Sequence, residues 1–344
     1  MSSFLYVNTG SRNRHLDTMR ERDMTRYPTE LSGLLAFPLT PFTETLELDL
    51  DVLAEQVEGH LDAGAGAVFV ACGTGEFSAL APHEVRAVLR RTRDVVSGRV
   101  PVLVGAGGGP ELARAGVTMA EGEGADAVLL LPPYLVSGPP AGLVDHVRYV
   151  VRDRDVPVIV YHRSSGVFTP ETARALLDVP NVVGLKDGIG DVDLMTRIVT
   201  SVRGSSHPRA AEFLFLNGLP TAEVSARAYR AIGVRIYSSA VHCFAPNIAH
   251  AFHRALDVGD DATVDELLRA FYLPLVALRD ETPGFAVSLV KAGARLRGAK
   301  VGSVRPPLRD PRPDQVDRLE RILTAGLDLV ATMTETRVAG SAVS

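Results

Sequence analysis

Eight short apolar runs alternate with helical stretches along the first two thirds of the chain, at spacings of about 20 to 35 residues. Nearly all are continuously apolar, which is typical of parallel strands covered on both faces, whereas strands with one face in water alternate. The runs lie at 34–39, 67–71, 101–105, 126–131, 156–161, 181–186, 212–217 and 233–240. This pattern predicts an α/β fold, specifically a closed (β/α)8 TIM barrel over residues 31–245.

An open, doubly wound sheet is the structural alternative. The glycine-rich stretch GAGGG at 105–109 follows the third run, as a dinucleotide-binding turn would. It leads into Pro110 and Glu111 without the fingerprint or the later acidic partner that such a turn requires. The barrel is therefore the favoured fold.

Helical patterns replace the strands after about residue 245. They occupy 246–256, 262–279, 284–297 and 314–331, with glycine and proline between them. We expect a C-terminal helical appendage over 246–335. The polar, aperiodic residues 1–30 and 336–344 are predicted to be mobile tails.

Composition narrows the classes of function. The 344 residues are 46% hydrophobic, enough for a large core, and carry a formal net charge of −5. The chain has no concentration of positive charge that would bind nucleic acid, so we expect a small-molecule ligand. Cys72 and Cys243 cannot form a disulfide framework or a metal cluster of their own, and we interpret both as small buried hydrophobic residues. With no stretch resembling a signal peptide or a membrane span, a cytoplasmic location is expected.

A lysine ends the sixth run, in the segment VVGLKDGIGD at 182–191. In a barrel, the residues that end the strands surround the active site. Burial there disfavours the ammonium form of Lys186, and the neutral amine can attack a carbonyl carbon to form a Schiff base. Most lysines at strand ends only extend to solvent, so the assignment of Lys186 as a nucleophile depends on the rest of the sequence.

The second run is followed by a glycine-rich turn, CGTGEF at 72–77. Gly73 and Gly75 let the backbone approach a ligand, and the N–H groups around Thr74 can converge on a carboxylate. The alternative is a tight turn in which Thr74 or Glu76 caps the next helix. The fragment alone leaves both interpretations open.

Polar side chains also end the fifth and eighth runs. Strand alternation places Tyr161 and Arg163 on one side, where the phenol can relay protons and the guanidinium can hold a carboxylate. His162 points the other way and is interpreted as structural. Ser238 and Ser239 either hydrogen-bond a polyol or fill a narrow barrel mouth.

The chain resembles the dihydrodipicolinate synthase and N-acetylneuraminate lyase superfamily in GTGEFSAL at 73–80, LPPYL at 131–135, Tyr161 and GLKDGIGD at 184–191. Within it, the 5-dehydro-4-deoxyglucarate dehydratase branch is the most similar. That similarity rests on GTGEF, KDGIGD, FLNGLPTAE at 215–223, YSSA at 237–240 and AVSLVKAGARL at 286–296. The resemblance covers about residues 33–313.

The resemblance implies a Schiff-base lyase with no metal and no organic cofactor, assembled as a homotetramer. Lys186 would attack the keto carbon beside a substrate carboxylate, and Tyr161 would shuttle protons. The loop 73–75 and the Thr74 hydroxyl would bind that carboxylate. The substrate would be a keto sugar diacid, converted to 2,5-dioxopentanoate, water and carbon dioxide. Arg163, Ser238 and Ser239 are candidates for holding its distal carboxylate and hydroxyls.

Two residues depart from the family patterns. Leu135 stands where the synthase branch carries a second tyrosine, which argues against a synthase-type proton relay. Cys72 stands where the dehydratase branch carries glycine, and its thiol is expected to alter the fit of the substrate. Among the acids, we interpret Glu76, Asp187 and Asp191 as helix caps or partners of helix dipoles rather than acid–base groups.

Two rival functions remain open. The same lysine and tyrosine serve an aldolase that cleaves a 2-keto-3-deoxy sugar acid to pyruvate and an aldehyde, and the products separate the two reactions. A non-catalytic barrel that senses a keto acid is a less favoured alternative. Such a protein is expected to have lost Lys186 or Tyr161, and both are present.

Overall fold

The structure, a computed structural model, describes residues 31–341. The tail predicted at 1–30 and the last three residues of the tail predicted at 336–344 lie outside the described residues. Residues 336–341 continue the final helix, so part of that second predicted tail is helical.

Eight parallel strands form a closed barrel, as predicted, and each lies within or next to one of the apolar runs. The first and last strands close it, because Leu35 pairs with Ala67 on one side and with Ser238 on the other. The strands are β1 (Leu35–Ala36), β2 (Ala67–Val70), β3 (Val102–Gly108), β4 (Ala127–Pro133), β5 (Val158–His162), β6 (Val182–Asp187), β7 (Leu214–Asn217) and β8 (Ile236–Ser239).

Helices follow the strands around the outside of the barrel. They are α1 (Leu50–Asp62), α2 (Pro82–Val96), α3 (Pro110–Gly122), α4 (Pro140–Val151), α5 (Pro170–Ala175), α6 (Val192–Arg203) and α7 (Ala226–Ala231). Their starts follow ordinary rules of helix capping: the Asp191 side chain accepts a hydrogen bond from the backbone N–H of Leu194 at the start of α6. The predicted capping role of Asp191 is confirmed.

The C-terminal region is helical, as predicted. It contains α8 (Pro246–Val258), α9 (Asp261–Leu267), α10 (Leu273–Asp280), α11 (Phe285–Leu296) and α12 (Pro313–Ser341). A π-helical turn at Leu268–Tyr272 separates α9 from α10, where the sequence predicted one continuous helix. None of the described helices is long and apolar enough to span a lipid bilayer.

Side chains fill the barrel rather than leaving a pore. The interior cluster contains Leu35, Phe37, Phe69, Leu103, Leu129, Ile159 and Leu216, all at most 3% exposed. A second, valine-rich cluster lies between the strands and the outer helices, and a third is built from α8 to α12. The closed, packed barrel leaves space for a ligand only at its ends.

Candidate active site

A cavity of about 560 Å³ opens at the carboxyl ends of the strands. Every strand-end segment that carries a predicted site residue reaches it. Its wall contains Phe37, Gly73, Thr74, Leu131, Tyr161, Arg163, Lys186, Gly218, Thr221 and Ser238, together with residues of α10 and α11. The appendage predicted from sequence therefore forms one side of the site.

Lys186 and Tyr161 lie side by side at the bottom of this cavity. They are paired across β5 and β6, so their side chains point to the same side of the sheet. The Nζ of Lys186 lies 4.2 Å from the centroid of the Tyr161 ring and 4.8 Å from that of Phe37. Lys186 is only 4% exposed. The amine is thus held in a largely apolar setting with one phenol beside it.

Two glycines make room for this pair. A Cβ at Gly218 would lie 2.6 Å from two carbons of the Lys186 side chain, and a Cβ at Gly188 would lie 2.7 Å from the Tyr161 ring. A larger residue at either position would force the neighbouring side chain or the loop to shift. The glycines of the KDGIGD and FLNGLP segments therefore serve close packing around the lysine and the tyrosine.

Hydrogen bonds on both sides fix the Tyr161 hydroxyl. It donates to the carbonyl oxygen of Gly218 at 3.0 Å and accepts from Nη1 of Arg163 at 3.0 Å. Burial alone would raise the pKa of Tyr161, but the charges of Lys186 and Arg163 and the hydrogen bonds from both outweigh it and lower the pKa. A phenol that releases its proton more readily suits proton transfer beside an amine.

The glycine-rich turn after β2 contributes part of its predicted set. Gly73 and Thr74 line the cavity, whereas Gly75 lies behind them. The carbonyl of Gly75 accepts a hydrogen bond from Thr40 at 2.6 Å, and a Cβ there would lie 3.1 Å from the backbone of Ala71. Gly75 thus shapes the turn and is not brought to the ligand space.

The two serines of β8 separate in the same way. Ser238 lines the cavity, whereas Ser239 is fully buried outside it. The Ser239 hydroxyl donates to Oε1 of Glu223 at 2.5 Å and accepts from the backbone N–H of His242 at 3.3 Å. The structure therefore does not bring Ser239 to the ligand, because adjacent residues of a strand face opposite ways.

Glu223, which Ser239 contacts, is a buried acid that the sequence did not single out. It is 1% exposed, and burial raises its pKa to about 7 in spite of the hydrogen bond from Ser239. The group lies behind the β7 and β8 ends of the barrel and supports the cavity from outside.

Glu76 is not a helix cap. Its carboxylate is buried and lies 2.7 Å from Nζ of Lys291 on α11, while its other oxygen accepts from the backbone N–H of Arg305 at 3.0 Å. Burial lowers the pKa of Lys291, and the charge of Glu76 opposes that change. The cap interpretation of Glu76 was wrong because the acid's partner is distant in sequence.

Asp187 is likewise an anchor within the loop after β6. It accepts hydrogen bonds from the backbone N–H groups of Ile189 and Gly190 at 3.0 and 3.2 Å, and from the hydroxyl of Tyr229. His162, which faces away from the cavity as expected, accepts at Nδ1 from the backbone N–H of Phe168 at 2.9 Å. Both side chains hold the loops beside Lys186 and Tyr161.

The two residues that depart from the family patterns have different surroundings. Cys72 is buried in the barrel interior, its thiol donates to the carbonyl of Val70 at 3.4 Å, and burial raises its pKa to about 12. It does not line the cavity, so the expected effect of its thiol on the fit of the substrate would be indirect. Leu135 does line the cavity, and it is 84% exposed.

Arg279 is the principal cavity residue that sequence reasoning missed. It lies on α10 and shares the wall with Leu275 of the same helix and with Phe285, Leu289 and Val290 of α11. With Lys186 and Arg163 it gives the cavity three cationic side chains, and no aspartate or glutamate is among the described lining residues. The site is therefore suited to an anionic ligand.

The structure is a (β/α)8 barrel whose cavity holds a buried lysine beside a tyrosine, an arrangement that suits an enzyme working through an amine. A family model described as the dihydrodipicolinate synthetase family matches residues 30–326. The chain belongs to this family.

Several curated relatives of the chain are named as 5-dehydro-4-deoxyglucarate dehydratases. A protein of Streptomyces coelicolor named "Probable 5-dehydro-4-deoxyglucarate dehydratase 1" is 53% identical over 299 residues, which are 87% of this chain and 94% of the relative. A protein of Rhizobium rhizogenes named "Probable 5-dehydro-4-deoxyglucarate dehydratase" is 42% identical, covering 85% of this chain and 94% of the relative.

Solved structures with the same fold include dihydrodipicolinate synthases. That of Oceanobacillus iheyensis matches with a TM-score of 0.78 at 26% identity, over 85% of this chain and 95% of the other. That of Thermotoga maritima matches with a TM-score of 0.77 at 27% identity, over 86% and 99%. The protein is accordingly an enzyme of the lyase class, and the fold class expected from the sequence is confirmed.

Proposed function

We propose that this enzyme is a Schiff-base dehydratase that converts 5-dehydro-4-deoxy-D-glucarate to 2,5-dioxopentanoate, water and carbon dioxide. The main support is the Lys186–Tyr161 pair, which lies at the base of the cavity. The described residues that line this cavity include three basic side chains and no aspartate or glutamate. The names of the relatives support the same substrate.

Lys186 begins the reaction by attacking the keto carbon, and water leaves as the imine forms. Tyr161, hydrogen-bonded to Arg163 and to the Gly218 carbonyl, carries protons to and from the departing oxygen. Gly73 and Thr74 hold the carboxylate next to that carbon. The protonated imine makes the adjacent CH₂ acidic, and loss of one proton from it expels the β-hydroxyl as water.

Decarboxylation follows from the same imine. After dehydration the imine is conjugated with a carbon–carbon double bond, and this system accepts the electron pair of the bond to the distal carboxylate. Carbon dioxide leaves, the resulting enol becomes the aldehyde, and hydrolysis of the imine releases 2,5-dioxopentanoate and regenerates Lys186. One proton is consumed overall, since a dianion gives a monoanion and neutral carbon dioxide.

We further propose that the enzyme works in the cytoplasm as a homotetramer. Two free cysteines with pKa values raised to about 12 fit a reducing compartment. The exposed apolar segment at Tyr134, Leu135 and Val136 offers surface for contact between copies. The light-scattering mass of the purified protein tests the assembly; a monomer would contradict it.

Borohydride trapping tests the imine. The chain has three lysines, Lys186, Lys291 and Lys300, so peptide mass analysis assigns an adduct unambiguously. With 5-dehydro-4-deoxyglucarate we expect an adduct on Lys186, which Lys186→Arg abolishes and Lys300→Arg, at an exposed lysine, retains. Unreduced controls should release carbon dioxide and a semialdehyde.

The alternative outcomes separate the rival functions. Trapping with pyruvate alone would identify an aldolase of the same family. No adduct with either compound would contradict Schiff-base chemistry and favour a protein that only binds keto acids.

A further inference from the structure

Arg279 stands out among the cavity residues because the reaction as derived gives it no task. It belongs to α10, outside the barrel, yet its side chain is only 19% exposed and reaches the cavity wall. Its charged partner in the described part of the chain is Asp280, whose side chain is 61% exposed and does not line the cavity.

The protein holds this guanidinium in one orientation. Nη1 donates to the carbonyl oxygen of Pro220 at 2.8 Å and to the Thr221 hydroxyl at 2.9 Å, and Nε contacts the exposed carboxylate of Asp280 at 2.8 Å. Among the described residues, Nη2 has no hydrogen-bond acceptor. The Arg279 guanidinium is therefore held in place before a ligand binds, and its Nη2 can still donate hydrogen bonds to that ligand.

The same loop ties Arg279 to the reacting lysine. Gly218 packs against the Lys186 side chain and accepts from Tyr161, and Thr221, three residues further on, accepts from Arg279. Three steps of about 3.8 Å limit the separation of the two Cα atoms to about 11 Å. A short sugar acid attached to Lys186 can therefore extend toward Arg279 along this loop.

The other cations of the cavity already have tasks. Lys186 becomes the imine nitrogen, and Nη1 of Arg163 donates to the Tyr161 hydroxyl that moves protons. The turn at Gly73 and Thr74 belongs to β2, across the barrel from β6, and serves the carboxylate beside the keto carbon. Arg279 contacts neither of these groups and is therefore available for a second carboxylate, a task for which the sequence suggested Arg163.

We propose that Arg279 binds the distal carboxylate and makes the enzyme select keto acids that carry a carboxylate at both ends. This inference rests on the proposed function. The neighbouring apolar residues of α10 and α11 limit access of water, which strengthens a charge-assisted, two-pronged contact. The contact also fixes the direction of the carbon–carbon bond that breaks when carbon dioxide leaves.

The test compares two substrates that differ only at the far end of the chain. One is 5-dehydro-4-deoxyglucarate, and the other is the corresponding six-carbon 2-keto-3-deoxy acid, which ends in a hydroxymethyl group. The readout is the concentration of each that gives half-maximal borohydride adduct on Lys186. This measurement does not require turnover.

Arg279→Ala should raise that concentration about 10- to 100-fold for the diacid and leave it unchanged for the monoacid. Arg279→Gln keeps a donor for the Pro220 carbonyl but lacks the charge, and it should show the same two results. It replaces the alanine variant in the test if that variant folds poorly. Arg269→Ala, at an arginine that is 76% exposed on the preceding π-helical turn, is the matched control and should change neither.

Three results would overturn the inference. An equal loss for both substrates would show that Arg279 only tethers the β7 loop. Unchanged binding of the diacid would remove Arg279 from the site while leaving the proposed function intact. Absence of any wild-type adduct with the diacid would instead overturn the proposed function, and this inference with it.

Discussion

Glu223 is a single residue whose ionisation the fold opposes. Its carboxyl group is 1% exposed, one oxygen is bonded to Ser239, and burial raises its pKa to about 7. In the unfolded chain the same group has an ordinary pKa of about 4.3. Between these two values the folded protein holds a proton that the unfolded chain releases.

Replacing Glu223 should therefore change how stability depends on pH. Because the folded-state pKa is raised, the wild type loses stability as the pH rises from about 4.5 to about 7, and the loss persists above that range. We expect Glu223→Gln to be more stable than the wild type by up to about 3 kcal/mol at pH 8, with little difference at pH 4.5. Urea unfolding at both pH values measures this.

The exposed Glu44 provides the control, since Glu44→Gln should give the same small change at both pH values. A difference between Glu223→Gln and the wild type that does not vary with pH would contradict the interpretation.

Which residues face the cavity could be predicted from the sequence where the alternation of side chains along a strand alone determines their direction. Alternation correctly separated Tyr161 and Arg163 from His162, and the same rule explains why Ser238 faces the cavity while Ser239 does not. The partner of Glu76 was not predictable, because Lys291 reaches it only through the packing of α11 on the turn after β2. Nothing local in the sequence marks such a contact.

At the level of elements, the adjacent ends of β5, β6 and β7 bring Tyr161, Lys186 and Gly218 together. Tyr161 and Lys186 are paired in register, and Leu216 of β7 is paired with Lys186 on the other side. The chain leaves β7 through Gly218, which packs directly on the lysine. The position of the Lys186 amine thus depends on Gly218, which has no side chain and lies in the loop directly after β7.

Gly218→Ala should displace the lysine without unfolding the barrel. The new Cβ would fall 2.6 Å from the Lys186 chain and 2.8 Å from the Asp187 carbonyl oxygen, so the side chain or the loop must shift. We expect turnover to fall about 100-fold, since small displacements of reacting groups have effects of that order. Steady-state kinetics and the thermal unfolding temperature measure the two consequences.

Gly59→Ala, within α1, is the matched control because nothing lies within 4 Å of its added Cβ. It should retain activity and gain about 0.5–1 kcal/mol of stability from helix propensity. Normal turnover in Gly218→Ala would show that the lysine tolerates the approach.

Element types were largely predictable because buried parallel strands give continuous apolar runs, and all eight were identified. The π-helical turn at Leu268–Tyr272 was not. A turn of this kind holds an extra residue, so it rotates the residues that follow relative to a continuous α-helix. The face on which Arg279 lies could therefore not be derived from a 3.6-residue period across 262–279.

On the scale of the whole molecule, a buried ion pair connects the barrel to the C-terminal helices. Lys291 of α11 is fully buried, and its Nζ lies 2.7 Å from Oε1 of Glu76. The same Nζ donates to the Ser303 carbonyl at 2.9 Å and lies 4.1 Å from the centroid of the Phe42 ring. The attraction between two buried charges does little more than offset the free energy of taking both out of water. Removing one of them, however, leaves the other buried without a counter-charge.

Removing one charge should be far more harmful than removing both. Lys291→Met leaves the Glu76 carboxylate buried without its cation, and we expect a loss of about 3–5 kcal/mol in the free energy of unfolding. Adding Glu76→Gln, which keeps an acceptor for the Arg305 N–H, should recover most of that loss. Urea unfolding of the single and double variants measures the coupling.

Lys300→Met, at an exposed lysine, should leave stability within about 0.5 kcal/mol of the wild type. Additive effects of Lys291→Met and Glu76→Gln would contradict the coupling.

The buried pair has a consequence for how such chains can be recombined. Glu76 belongs to the turn that places Gly73 and Thr74 at the cavity wall, and Lys291 belongs to α11, which contributes other residues of that wall. A chimera that joined this barrel to the C-terminal helices of a relative lacking the lysine would inherit an unpaired acid beneath its own binding turn. The barrel and the C-terminal helices are therefore exchangeable only together, because Glu76 and Lys291, although far apart in the sequence, depend on each other.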